Sequence, residues 1–295
     1  MRRFAAVLGA ALLILAVAGP VTASSSDQHA VHYYLSLGDS LAAGYQPTGD
    51  PNDMYRTSDG YADQLYAIAR TEIPKLRHVK LGCPGETTVT MIEGGICPYE
   101  EGSQLAEAVE FLHAHAKFVS FVTIDIGWND VGSATACILA GGNPTGCVQP
   151  GIESIQEHLP VILAALHDAA PNVPIVGMNL YDPFLGYWFQ GQQGQAFAML
   201  SVDLIAGTES APGINDLVAG IFDGFGMDVA DVETAFQTTS WTPPVEFPPG
   251  SGNYVPLNVA TVCALTWMCT PYFDVHPNTA GYGVMAQAFA EVLGL

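Results

Sequence analysis

Basic residues are scarce in this chain. Lys and Arg number 8 among 295 residues, against 29 Asp and Glu, for a net charge of −21. Such a balance repels phosphate backbones and anionic bilayers, so nucleic acid is excluded as an expected partner. Long apolar runs are lacking as well. After residue 18 no segment approaches the roughly 20 apolar residues a spanning helix needs, so no stable membrane insertion is expected. There is no Cys-x-x-Cys and no His-Glu-x-x-His, which argues against a zinc site. The chain also has no internal repeat and no long low-complexity segment.

The first residues stand apart from the rest. Arg2 and Arg3 precede the short apolar run Phe4–Ala18, Gly19-Pro20 breaks it, and Val21-Thr22-Ala23 offers small residues for cleavage. This reads as a secretory signal peptide over residues 1–23, the alternative being a single membrane anchor. Cleavage there removes two arginines and no acid, so the net charge becomes −23. A secreted, extracellular protein is expected, with one domain over residues 30–295. Six cysteines, Cys83, Cys97, Cys137, Cys147, Cys263 and Cys269, fit that compartment as three disulfides. Six cysteines allow 15 pairings. The spacing favours neighbours: Cys83 with Cys97, Cys137 with Cys147, Cys263 with Cys269.

Short apolar strands alternate with amphipathic helices along the chain. Strands are expected at Val31–Leu37, His78–Leu81, Phe118–Ile126 and Val173–Leu180. Helices are expected at Gly60–Ile73, Gln104–Ala116, Ile152–Ala169 and Thr279–Leu293. Continuous apolar strands separated by helices point to a parallel sheet covered on both faces. Residues 181–258 are the least regular. Tyr181–Phe189 is aromatic, Leu204–Phe225 contains helix, and Thr238–Pro256 reads as a long Pro- and Gly-rich loop.

In parallel sheets, sites form beyond the carboxyl ends of the strands. Ser40 lies just past the first strand, Gly85 just past the second and Asn129 just past the third. His276 precedes Pro277, which favours extended backbone there, and so sits on a loop leading into the last helix. A serine hydroxyl attacking a carbonyl needs a base to take its proton. It also needs donors aimed at the oxyanion that develops. These four residues offer candidates for each role. Asp39 and Asp130 are expected to tie turns.

The blocks around these residues are Gly38-Asp39-Ser40-Leu41, Leu81-Gly82-Cys83-Pro84-Gly85-Glu86-Thr87-Thr88, Gly127-Trp128-Asn129-Asp130 and Asp274-Val275-His276-Pro277-Asn278. Together they make the chain resemble the SGNH/GDSL hydrolases over nearly its whole mature length. The resemblance implies a flavodoxin-like three-layer α/β/α sandwich with a central parallel sheet of about five strands. The common esterase elbow Gly-x-Ser-x-Gly is absent, which agrees with this fold over the α/β-hydrolase fold.

By the same resemblance, Ser40 is the nucleophile and His276 the base, and the oxyanion hole comprises the Ser40 and Gly85 N–H groups and the Asn129 amide. One departure concerns the acid. The commonest form of the last block has Asp three residues before His, whereas here position 273 is Phe and the acid is Asp274. Either Asp274 or a backbone carbonyl orients His276. No metal or organic cofactor is implied. The expected substrate is a small-molecule or lipid ester, the expected state a monomer, and the expected activity that of a secreted esterase or lipase. A carbohydrate (acetyl) esterase and a non-catalytic binding protein are the rival readings.

Overall fold

Strand β1 (His32–Gly38) is buried on both faces over its last five residues, the pattern of a strand covered by helices on either side. The computed structural model describes residues 30–47 and 56–295, so the expected signal segment 1–23 lies outside the described residues. From β1 the chain runs through α1 (Tyr61–Glu72), β2 (Leu76–Lys80), α2 (Thr88–Glu93), α3 (Gln104–His115), β3 (Val119–Asp125), α4 (Trp128–Gly132), α5 (Ala134–Leu139) and α6 (Pro144–Ala169). It continues with β4 (Ile175–Met178), a 3-10 segment Pro183–Gln190, α7 (Gly191–Ile205), α8 (Ile214–Gly224), β5 (Val229–Ala230) and α9 (Val232–Ala235). The last elements are β6 (Val245–Glu246), β7 (Tyr254–Val255), α10 (Leu257–Leu265) and α11 (Thr279–Leu293).

Five strands pair in the order β2-β1-β3-β4-β5, all parallel. This is the flavodoxin-like order, with helices on both faces. Helix α1 packs against α11 on one side, where Tyr61 stacks on Phe289 at 4.9 Å between ring centroids. Helices α3, α6 and α8 pack in series on the other. The six cysteines form Cys83–Cys97, Cys137–Cys147 and Cys263–Cys269, the neighbour pairing. No helix of the described residues is long and apolar enough to cross a membrane.

Beyond shifted element ends and the helices α2, α4, α5, α7, α9 and α10, which the sequence pattern does not place, three departures from the sequence expectation have a physical cause. The fifth strand is only two residues long, too short for any periodic signal. Helix α6 begins eight residues before the expected Ile152, because Asn143 caps it by accepting the Gly146 N–H at 3.0 Å and Pro144 occupies its first turn. It then runs on through Pro150, a residue that reads as a breaker in sequence. The expected loop Thr238–Pro256 contains the antiparallel pair β6–β7.

Just past β4, Asp182 is fully buried. Its Oδ1 accepts the Phe184 N–H at 2.8 Å and its Oδ2 the Ser201 hydroxyl at 2.6 Å, joining the aromatic 3-10 segment to α7. Burial outweighs these bonds and pushes the Asp182 carboxyl up to about 7. A carboxyl raised on folding contributes stability at low pH that is lost as pH climbs through its folded value. The melting temperature should therefore fall between about pH 4 and pH 7. Asp182→Asn should flatten that part of the curve, as thermal unfolding across the range would report; an unchanged slope would exclude Asp182 as its source.

Candidate active site

Gly38 ends β1 in register with Asp125 of β3, and its carbonyl accepts the Cys83 N–H at 3.0 Å. Gln104, at the start of α3, adds a side-chain clamp. Its Oε1 accepts the Gly38 N–H at 2.6 Å and its Nε2 donates to the Gly38 carbonyl at 2.9 Å. Gly38 takes φ +134°, and a side chain there would run into Asp125. Only glycine fits both conditions. The next residues form a tight turn held from below by carboxylates. Asp125 Oδ2 accepts the Asp39 N–H at 3.2 Å and the Ala42 N–H at 3.4 Å, and Asp39 Oδ1 accepts the Leu41 N–H at 2.9 Å. Among the described residues, the Ser40 N–H is the one amide of this turn without a hydrogen bond.

Ser40 Oγ lies 2.8 Å from His276 Nε2, across 236 positions of sequence. His276 Nδ1 lies 2.8 Å from Asp274 Oδ1, which also accepts the His276 backbone N–H at 2.9 Å. The two-residue spacing thus closes an Asx-type turn in which one oxygen fixes both backbone and ring. Phe273, at φ +46°, forms the corner before it. Burial tends to raise the Asp274 carboxyl, but the bonds and charge of His276 prevail and hold it below the usual carboxylate range. The loop is anchored by Trp267 N–H donating to His276 O at 3.0 Å and Asn278 N–H donating to Leu265 O at 2.9 Å. Tyr45 packs its ring 4.4 Å from that of His276.

Gly85 is the third residue of the turn Cys83-Pro84-Gly85-Glu86, closed by Glu86 N–H donating to Cys83 O at 3.1 Å. Proline second and glycine third at φ +86° define a type II turn, which does not use the Gly85 N–H. Asn129 lies in the first turn of α4. Its amide donates to Glu86 O at 2.9 Å and to Asp39 Oδ2 at 3.1 Å, so it links the turns after β1 and β2. Asp130 ties α4 to its neighbours, accepting the Thr88 N–H at 2.9 Å, the Thr88 hydroxyl at 2.5 Å and the Ser154 hydroxyl at 2.6 Å.

Ser40, Gly85 and Asn129 therefore share the carboxyl edge of the sheet, and His276 with Asp274 closes on Ser40. A family profile described as the GDSL-like lipase/acylhydrolase family matches residues 36–284. The chain belongs to that family. Among solved structures, an extracellular lipase from Streptomyces rimosus is 20% identical with a TM-score of 0.53, covering 88% of this chain and 99% of that one. An alpha/beta hydrolase from the metagenome of Lake Arreo, Spain, is 18% identical with a TM-score of 0.52, covering 90% and 97%. A variant of an acetyl xylan esterase from Geobacillus stearothermophilus is 18% identical with a TM-score of 0.51, covering 89% and 94%. At these identities the likeness concerns the fold. No curated protein matches the sequence.

Within this GDSL protein the motif blocks do not reveal what holds the turn that carries Ser40. Gln104, Asp125, Tyr61 and Tyr45 carry no motif signal. A buried acid closing an apolar strand at Asp125 is the one hint that sequence offers. Gly38→Ala should destabilise the protein by about 3 kcal/mol or more, adding overpacking to left-handed strain. Urea unfolding would measure it; wild-type stability would mean the turn can relax away from Asp125.

Proposed function

We propose that this GDSL-family protein is a secreted serine esterase or lipase acting through an acyl-enzyme on Ser40. The observation that carries the reading is the continuous chain Ser40 Oγ–His276 Nε2, His276 Nδ1–Asp274 Oδ1, each contact 2.8 Å. In it, His276 takes the hydroxyl proton as Ser40 attacks the acyl carbon, and Asp274 holds the ring tautomer and balances the imidazolium. The Ser40 N–H and Gly85 N–H, neither used by its own turn, receive the oxyanion together with an Asn129 amide hydrogen released from its resting partners. His276 then protonates the departing alcohol, and water repeats the sequence to free the acid.

The acyl side is apolar in this reading. An aromatic series runs from Trp128, beside Asn129, through Phe184, Phe197 and Tyr187 to Phe273, beside Asp274. Successive ring centroids are 5.7, 5.6, 5.0 and 5.0 Å apart. An apolar crevice lined by Trp128, Val131, Ile138, Phe184 and Phe197 adjoins it. This favours esters of apolar acyl groups over acetylated polysaccharide, the substrate class named for the Geobacillus relative. Export rests on the basic, apolar and small-residue segments of residues 1–23 and on three disulfides.

Hydrolysis of nitrophenyl esters from acetyl to palmitoyl tests both levels. Ser40→Ala and His276→Ala should fall to background with unchanged circular dichroism. Asn129→Ala should lose about 10²–10³ in kcat. Wild-type turnover in Ser40→Ala would sink the mechanism, and activity confined to acetyl would turn the reading toward a carbohydrate esterase.

A further inference from the structure

Beneath Ser40 lie two carboxyl groups to which the proposed reaction assigns no step. Asp39 is wholly buried and Asp125, the last residue of β3, is 2% exposed. Asp125 Oδ2 accepts the Asp39 and Ala42 N–H groups, and Oδ1 accepts the Tyr61 hydroxyl at 2.5 Å. Asp39 in turn accepts from Leu41 N–H and from Asn129 Nδ2. The two carboxyls are close neighbours, because Asp125 Oδ2 holds the backbone N–H of Asp39 itself. Among the described residues neither carboxyl has an ion pair with Lys or Arg.

Two carboxylates in contact, out of water and without a cation, cannot both ionise at ordinary cost. We propose that Asp125 is a positioning residue for the nucleophile turn, keeping a proton so that the singly charged pair grips residues 39–42 beneath Ser40. This rests on the reading of Ser40 as nucleophile.

The proton belongs on Asp125 for a geometric reason. Asp39 accepts the Asn129 amide and, at 3.5 Å, the Ser40 hydroxyl that lies 2.8 Å from His276 Nε2, so the donors and the nearby His276 charge favour its anion. Asp125 receives only its three donors and Asp39's repulsion. Burial first, then the Asp39 charge, drive the Asp125 carboxyl well above the usual range, and burial raises Asp39 as well. The other titratable groups around the pair are Tyr34 on β1, Tyr61 on α1, Glu86 after β2, Tyr181 after β4, Asp274 and His276 before α11, and Tyr282 on α11. All but His276 are acids or phenols, so none offers a fixed positive charge.

The consequence is an alkaline limit. A carboxyl raised on folding stabilises below its folded value, and the benefit disappears as pH rises through it. Loss of the Asp125 proton sets two buried anions against each other under the turn. A histidine base alone gives a rate that levels off at high pH, so a fall there has another source.

The test follows kcat and KM for nitrophenyl acetate, with the melting temperature, across the alkaline range. Wild type should lose kcat and melting temperature together, with KM unchanged. Asp125→Asn, neutral at every pH, should lack both falls. Tyr61→Phe removes a donor to the Asp125 anion and should move both falls to higher pH. Asp125→Ala should lower kcat about 10²-fold through misplacement of Ser40. Asp125→Asn curves that follow wild type, or a Tyr61→Phe shift to lower pH, would overturn the proposal. If Asp125→Asn does not fold, Tyr61→Phe decides. If wild type hydrolyses no ester, the esterase reading fails, while the melting curves still decide the Asp125 proton.

Discussion

A serine set on a tight turn past the end of a buried strand leaves its neighbours with backbone groups and no ladder to receive them. In this protein the Asp39–Ala42 turn answers that constraint with side chains. Asp125 and Asp39 accept three of its amides, and Gln104 takes both polar groups of Gly38. Buried polar groups left unpaired cost about 1–3 kcal/mol each, so the turn is held in one geometry by the penalty for leaving it. The same network reaches outward through Asn129 to the Glu86 carbonyl and through Gln104 to the Glu86 carboxylate. Three separate strand ends are thereby locked in register.

His276 arrives from the far end of the chain and needs its own anchorage. The segment 265–267, closed within the Cys263–Cys269 loop, pairs with residues 276–278. Cys83–Cys97 begins two residues before Gly85, and Cys137–Cys147 closes the segment after α4. Two bridges therefore restrain connections that follow β2 and β3, and the third restrains the α10–α11 connection that carries His276. Catalytic geometry tolerates errors of only about 0.5 Å, and short covalent loops limit drift of that size.

Much of this was legible in the sequence, for identifiable reasons. Val119–Asp125 and Thr279–Leu293 have unbroken periodic patterns, so their type and place follow from burial alone. The two-residue β5 has no pattern to read, and Pro150 masked the true start of α6, which the Asn143 cap and Pro144 mark instead. The four motif blocks locate residues at strand ends. They are silent on partners that are distant in sequence, since Gln104 and Asp125 meet Gly38 and Asp39 only after the sheet forms. The unusual Asp274 spacing was ambiguous as a string. It resolves in three dimensions because a carboxylate two residues back can bond both the backbone and the ring of His276.

The central claim is that Ser40 is a nucleophile whose developing oxyanion is met by Gly85 and Asn129. It is tested most directly by a crystal structure after reaction with a fluorophosphonate, whose phosphorus mimics the tetrahedral centre. The account predicts a bond from phosphorus to Ser40 Oγ, with the phosphoryl oxygen within hydrogen-bond distance of the Ser40 and Gly85 N–H groups and Asn129 Nδ2. An unmodified Ser40, or a phosphoryl oxygen turned away from all three donors, would contradict it.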